Sequence, residues 1–272
     1  VTDPRDAEAR WRQEAAFFDA KAAEHRQRLQ PISPAIVERY RTRSRINGHW
    51  PKEHALGLLG DVRGLRILDV GSGEGQDAVL LATLGAQVTA LELSSEAVAL
   101  ARAYAEASGV ADRITWVQSP VETFDAGAGQ FDVAWCAAFL HHVLADLSPV
   151  CASLKRALKP GGRFVAIEPL RTSGAVRLLR RLFPVPPDAT PDERPLQHED
   201  LAVIRGALGS LEVRRFYGLA RLQAVLLTDK QFETASALVR GTLDVATGLD
   251  QVLLNTLGLE SLAGVAVLHA RV

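Results

Sequence analysis

The sequence predicts an α/β fold, a parallel sheet covered by helices on both faces, and three observations carry that reading. From Leu65 onward short apolar strands alternate with helical periods. The first strand runs directly into a glycine-rich turn, Gly71-Ser72-Gly73-Glu74-Gly75, ahead of a helix. The 272 residues are 47% apolar and 23% charged, enough to bury one sizeable core and too apolar for a disordered chain.

Taken in order, residues 1–60 show no strand alternation, and Trp11, Ala15, Phe18, Ala22 and Leu29 form a helical stripe that must lie on something. Strands are expected at 66–70, 87–93, 114–117, 131–137 and 163–169. Ser94 is placed to cap the helix that follows the second strand, with Glu96 in its first turn and Gly109 at its exit. Ser148-Pro149 reads as another helix start, ending at the turn Lys159-Pro160-Gly161-Gly162. Residues 170–200 are a Pro-, Arg- and Asp-rich excursion. Two further strands, 211–219 and 263–272, enclose a helical stretch from about 222 to 260.

Lys plus Arg (31) nearly cancels Asp plus Glu (32), a net charge of -1, so no global field recruits nucleic acid or an anionic membrane. The two cysteines, Cys136 and Cys151, are too few to staple the fold and lack C-x-x-C spacing. They suit a reducing compartment and build no zinc site. The amino terminus is charged without the apolar stretch of a signal peptide, and runs such as 78–81 and 224–227 fall far short of the roughly 20 residues of a membrane helix. A cytoplasmic protein is expected. The chain contains no methionine, for which its chemistry offers no reason.

Glycines at a strand-to-helix turn let the backbone approach a ligand closely, and the helix start offers unpaired N–H groups. Glu92 closes the second strand 21 positions after Gly71, where a carboxylate can accept from both hydroxyls of a ribose. The ligand is then a nucleoside. A dinucleotide fingerprint would place a third glycine where Gln76 stands, and the run reads instead D-x-G-x-G-x-G from Asp69.

That run resembles the first motif of the class I, Rossmann-like S-adenosylmethionine-dependent methyltransferases, in particular those acting on small molecules. The resemblance continues through Ala90-Leu91-Glu92-Leu93, Gln130-Phe131-Asp132-Val133 and Leu158-Lys159-Pro160-Gly161-Gly162, four ordered motifs over residues 65–170. It implies a doubly wound, mostly parallel seven-stranded sheet of order 3-2-1-4-5-7-6, the seventh strand antiparallel and formed by 263–272. It also implies an N-terminal helical lid (1–60) on a cofactor-binding domain (61–272), with 170–200 and 222–260 as substrate-cap insertions. S-adenosylmethionine, leaving as S-adenosylhomocysteine, would lie across the carboxyl ends of strands one and four. Gly71, Ser72 and Gly73 would approach its methionine moiety and ribose, and Glu92 its ribose hydroxyls. Asp69, Gly75, Leu93, Cys136 and Tyr40 complete the expected cofactor contacts. Where the family often places an acid for the adenine amino group, this chain has Pro120. Either Glu122 takes over, or backbone groups of Val121 and Glu122 hold the base.

Transfer from a sulfonium releases a neutral thioether, so the donor needs no acid, whereas a hydroxyl acceptor gains from a base of near-neutral pKa. His141 and His142 follow the fourth strand, just beyond the cofactor's methionine end, and His142 is taken first and His141 second as the base. The alternative is that either caps a helix or binds a carbonyl. No metal site is expected, since adjacent histidines point differently and no third ligand follows. Tyr40 and Trp50 are candidates to close over the cofactor, with core packing as the alternative. Arg41, Arg43 and Arg45 read as a solvated basic run. Arg171, Arg177, Arg180 and Arg181 precede the proline-rich loop, and Leu222, Val225, Leu226, Phe232 and Leu238 suggest a cap or a homodimer contact. The expected activity is methyl transfer to oxygen or nitrogen of a small acceptor, such as a sugar, lipid-like compound or secondary metabolite. Two rivals stand beside it: a protein of this fold that binds the cofactor without transferring methyl, and an NAD(P)-dependent oxidoreductase.

Overall fold

A computed structural model describes residues 4–26, 29–46, 50–171, 194–227 and 231–272. Helices α1 (Pro4–His25), α2 (Pro34–Ile46) and α3 (Pro51–Leu59) precede β1 (Arg66–Val70), α4 (Gln76–Thr83), β2 (Gln87–Glu92), α5 (Ser95–Ala107), β3 (Ile114–Gln118) and β4 (Phe131–Ala137). There follow α6 (Leu147–Ala157), β5 (Leu158–Pro169), α7 (His198–Leu208), β6 (Glu212–Phe216), the short α8 (Gln223–Leu226), α9 (Ala237–Asn255) and β7 (Val265–Arg271). The sheet runs β3-β2-β1-β4-β5-β7-β6, the order the family resemblance implies. All pairs are parallel except those of β7, which is antiparallel to both β5 and β6.

Strand alternation splits the core in two. Leu68, Val70, Cys136 and Phe164 point to the face covered by α6 and α7. Ile67, Val133, Trp135 and Val165 point to the face covered by α3 and α4. Cys136, expected among the cofactor contacts, is therefore a fully buried core residue. Ser94 caps α5 as expected, its Oγ accepting from the Ala97 N–H at 3.0 Å. Two boundaries differ. α6 starts at Leu147 behind Asp146, which puts Ser148 and Pro149 inside its first turn. Lys159–Gly162 belongs to β5, because Leu158 already pairs with Phe131 before a register shift, and the Gly161 N–H donates to Val272.

The flanking helices are joined through a buried ionic cluster. Glu53, fully buried on α3, accepts from Arg39 Nε at 2.8 Å and Arg43 Nε at 3.0 Å, both on α2. Arg39 reaches on to Glu233 and Arg43 to Asp244 of α9, 194 and 201 residues away in sequence. Arg39 lies over the rings of Tyr40, Trp50 and Phe232. Arg43 is thus no solvated charge. Trp50 and Phe232 are core residues packed on each other at 5.3 Å. Arg41 is exposed beside Glu38, while Leu222, Leu226 and Leu238 stand in solvent. Arg177, Arg180, Arg181 and the side chains of Arg45 and Val225 lie outside the described residues. Among the described residues no helix is long and apolar enough to cross a membrane, and no three His, Cys, Asp or Glu side chains cluster to hold a metal.

Candidate active site

A cavity of about 540 Å³, well within the range of small-molecule pockets, opens at the carboxyl ends of β1, β2 and β4 beneath α1. Its floor is the glycine turn. Gly71 (φ +67°) and Gly73 (φ +52°) hold the left-handed conformation that glycine adopts without strain. A Cβ on Gly71 would fall 2.2 Å from the Phe139 ring. The Gly71 and Ser72 N–H groups donate to Leu91 at 2.9 and 3.0 Å, which pins the turn to β2. Gly75 (φ +82°) does not line the cavity, and a Cβ there would meet Ala101 and Trp116 at 2.8 Å. Its glycine is needed for packing against α5.

Glu92 lines the cavity with its carboxylate fixed by backbone donors. Oε1 accepts from Leu93 and Ser94, each at 2.8 Å, and Oε2 from Gly73 at 2.8 Å. Three of its roughly four acceptor positions are used, which leaves one on Oε2. Asp69 is buried with Oδ2 lacking a hydrogen-bond partner, and the Ser72 hydroxyl is orphaned likewise. Burial, reinforced by the nearby Asp77, pushes the Asp69 carboxyl well above the usual range, and Lys52 opposes the shift. Lys52 itself pairs with Asp77 Oδ1 at 2.5 Å, and Asp77 Oδ2 accepts from Trp135 Nε1 at 2.9 Å. Lys52 and Asp77 line the cavity and escaped the sequence reading. Asp77 in the first turn after the glycines was the available signal.

At the opposite end Leu93, Val121 and Glu122 line the wall. The Glu122 carboxylate is taken by Arg10 of α1 at 2.5 Å, which also reaches Asp146 at 3.2 Å. α1 is the roof: Trp11, Phe18 and His25 of the predicted stripe region face the cavity, Ala22 packs on α5, and Leu29 lies beyond the helix in solvent. Polar contacts besides Arg10 hold it, among them Asp19 to Ser94 Oγ (2.5 Å) and to the Glu96 N–H (3.1 Å), and His25 to Glu74 (2.6 Å). Tyr40 does not line this cavity. It lines a second hollow of about 690 Å³ with Gly60, Arg63, Gly85 and Gln87, at the amino-terminal ends of β1 and β2.

Beyond β4 the chain turns through Ala138 (φ +54°), an uncommon conformation for a residue with a Cβ, into a 3₁₀ turn at Leu140–His142. Glu168, fully buried near the end of β5, organises it. Oε1 accepts from the Phe139 and Leu140 N–H groups at 2.9 and 2.7 Å, and Oε2 lies 2.8 Å from His141 Nδ1. A carboxylate partner fixes the proton on Nδ1, so Nε2 is the basic nitrogen of His141, a residue of the cavity wall. His142, expected first, lines the cavity too, but its ring packs against Phe18 at 5.7 Å and His141 at 4.2 Å. Glu168 was missed, although an acid in the fifth strand's last turn of sequence stands level with the histidines.

Residues 68–166 match the methyltransferase-domain family. A ubiquinone biosynthesis O-methyltransferase of Erwinia tasmaniensis is 42% identical over 114 residues, 42% of this chain and 44% of that protein. The chain thus spans less than half the length of the curated relatives it matches. Among solved structures, the [4+2]-cyclase SpnF is similar with a TM-score of 0.51 at 19% identity, over 87% of this chain and 79% of that one. Phosphoethanolamine N-methyltransferase 2 of Haemonchus contortus, in complex with phosphomonomethylethanolamine and S-adenosylhomocysteine, gives 0.51 at 20% identity, over 80% and 52%. At these identities the structures share a fold. The glycine turn, Glu92 and the turn that carries His141 and His142 all lie within residues 68–166, the stretch that matches the methyltransferase domain.

Proposed function

We propose that this chain transfers the methyl group of S-adenosylmethionine to a hydroxyl oxygen of a small molecule, with His141 as general base. The observation that carries the reading is the His141–Glu168 pair at one end of a cavity whose other walls hold Asp69 and Glu92. When bound, the cofactor supplies an electrophilic methyl on a sulfonium that departs as a neutral thioether. The chain fits it on chemistry. Asp69 Oδ2, orphaned and buried, suits the ammonium of the methionine moiety, and the Glu92 Oε2 position left open suits one ribose hydroxyl. Because Arg10 holds the Glu122 carboxylate, adenine is assigned to backbone groups of Val121 and Glu122.

The acceptor hydroxyl gives its proton to His141 Nε2, and the buried Glu168 carboxylate stabilises the imidazolium that results. Trp11, Phe18 and Phe139 exclude water, and α1 serves as the lid of residues 1–60, with 61–272 as the cofactor domain. The neighbouring [4+2]-cyclase favours a second reading, in which the same pocket binds cofactor without methyl transfer.

A thermal-shift comparison of S-adenosylmethionine, S-adenosylhomocysteine, NAD and NADP tests the first step. A ligand at 100 times its dissociation constant adds about 2.7 kcal/mol, and the two adenosyl compounds alone should stabilise. A response only to a dinucleotide overturns the cofactor. Methyl-labelled cofactor with a panel of phenols, sugars and lipid-like alcohols tests the second step. Labelled product whose formation His141→Ala slows is expected, and binding with no transfer to any acceptor returns the second reading.

A further inference from the structure

The outward face of α9 carries Leu238, Thr242, Val245, Leu249, Val252 and Thr256, all exposed and none charged. Leu238 is 80% exposed, Val245 64%, Leu249 50% and Val252 51%. These positions recur at alternating spacings of four and three residues, the period of a helix that packs its seam against another helix. The spacing also reads the same in both directions. A two-fold axis crossing the helix at the level of residue 247 sets Val245 against the second Leu249, Thr242 against Val252 and Leu238 against Thr256. Gly241 and Gly248 lie along the edge of the seam and let two backbones approach closely.

We propose that this face binds a second copy of the same chain, with the two α9 helices antiparallel. A surface without charge calls for a partner surface without charge, and its own copy supplies one in register. An anionic membrane does not fit, since no Lys or Arg stands on the seam, and Arg240 folds back onto the Glu233 and Ala235 carbonyls at 3.1 and 3.0 Å. Leu257 and Leu259, just past the end of α9, are exposed as well. An exposed apolar seam of this kind marks an interaction site. The seam lies on the opposite side of α9 from the Asp244 and Asp250 contacts to the rest of the chain, so pairing leaves those contacts intact.

Sedimentation of the full chain across micromolar concentrations should give a particle of twice the 29.4 kDa chain mass. Leu249→Arg and Val245→Glu should each raise the dimer dissociation constant at least 100-fold while leaving the circular dichroism spectrum and S-adenosylhomocysteine affinity unchanged. Val245→Cys combined with Leu249→Cys should be joined into covalent dimers by a short bis-maleimide. The native Cys136 and Cys151 are buried and leave the unsubstituted chain as the control. A monomer at all concentrations overturns the proposal, as does a dimer that survives Leu249→Arg. A monomer that floats with phosphatidylcholine vesicles and loses them on Leu249→Arg assigns the face to lipid instead.

Discussion

The floor and the roof of the cavity are built on different principles. The floor is backbone: Gly71, Gly73 and the Glu92 carboxylate are locked by main-chain hydrogen bonds within and between β1 and β2. The roof is side chain: α1 is held over the site by Arg10, Asp19 and His25, each reaching across to a different loop. A backbone-built wall has one geometry, imposed by the sheet. A wall held by side chains that reach across to separate loops has no ladder of main-chain bonds to the sheet, and can open for ligand exchange without disturbing it.

The largest effect should fall where floor and roof meet the acceptor. His141→Ala is expected to lower kcat by roughly 10² to 10⁴ with cofactor affinity nearly unchanged, and His142→Ala by less, since the buried Glu168 carboxylate orients His141 with its Nε2 free to take a proton. Steady-state kinetics at saturating acceptor reads this, and the reverse ranking would return the base to His142. Next come the floor carboxylates. Glu92→Ala should weaken cofactor binding by about 1.5 to 3 kcal/mol by calorimetry. Asp69→Asn should weaken it similarly and yet raise the Tm of the ligand-free protein. The folded Asp69 carboxyl keeps its proton at pH values where the unfolded one, near 3.9, has lost it, so this group costs stability as pH rises through that window. Equal Tm values for the two proteins would mean that Asp69 carries no such strain.

The glycine turn gives an internal contrast. Gly75→Ala must push a methyl into Ala101 and Trp116 as well as hold φ at +82°, and should cost about 2 to 4 kcal/mol in denaturant unfolding. Gly73→Ala meets nothing within 4 Å and should cost about 1 to 2 kcal/mol from backbone strain alone. A stability effect no larger belongs to the roof. Arg10→Ala should cost about 1 to 2 kcal/mol of stability and show itself as a faster S-adenosylhomocysteine dissociation rate. A loss as large as that of Gly75→Ala would make the roof part of the cooperative core.

The same contrast explains what the sequence disclosed. The strands, the glycine turn and Glu92 were legible because backbone conformation and period-2 burial leave a local imprint on residue type. The roof was legible only as a stripe. Trp11 and Phe18 stood out as apolar, but nothing local says that they face a cavity while Trp50 and Tyr40, equally aromatic, face the interior or another hollow. Glu168 and Lys52 were missed for a related reason. Each acquires its role from a partner on another strand or helix, His141 and Asp77, at a separation no spacing rule encodes. The ranking of the two histidines followed from that omission.

The ionic cluster around Glu53 also sets a timetable. Arg39 and Arg43 are made early, but Glu233 and Asp244 follow 194 and 201 residues later. At ordinary rates of synthesis that interval is on the order of 10 to 40 s. Throughout it two guanidinium groups share the single carboxylate of Glu53, and the aromatic Phe232 that Arg39 covers does not yet exist. The cluster is therefore complete only once residues 233 and 244 have been made, which ties the closing of α2 onto its partners to a late stretch of the chain.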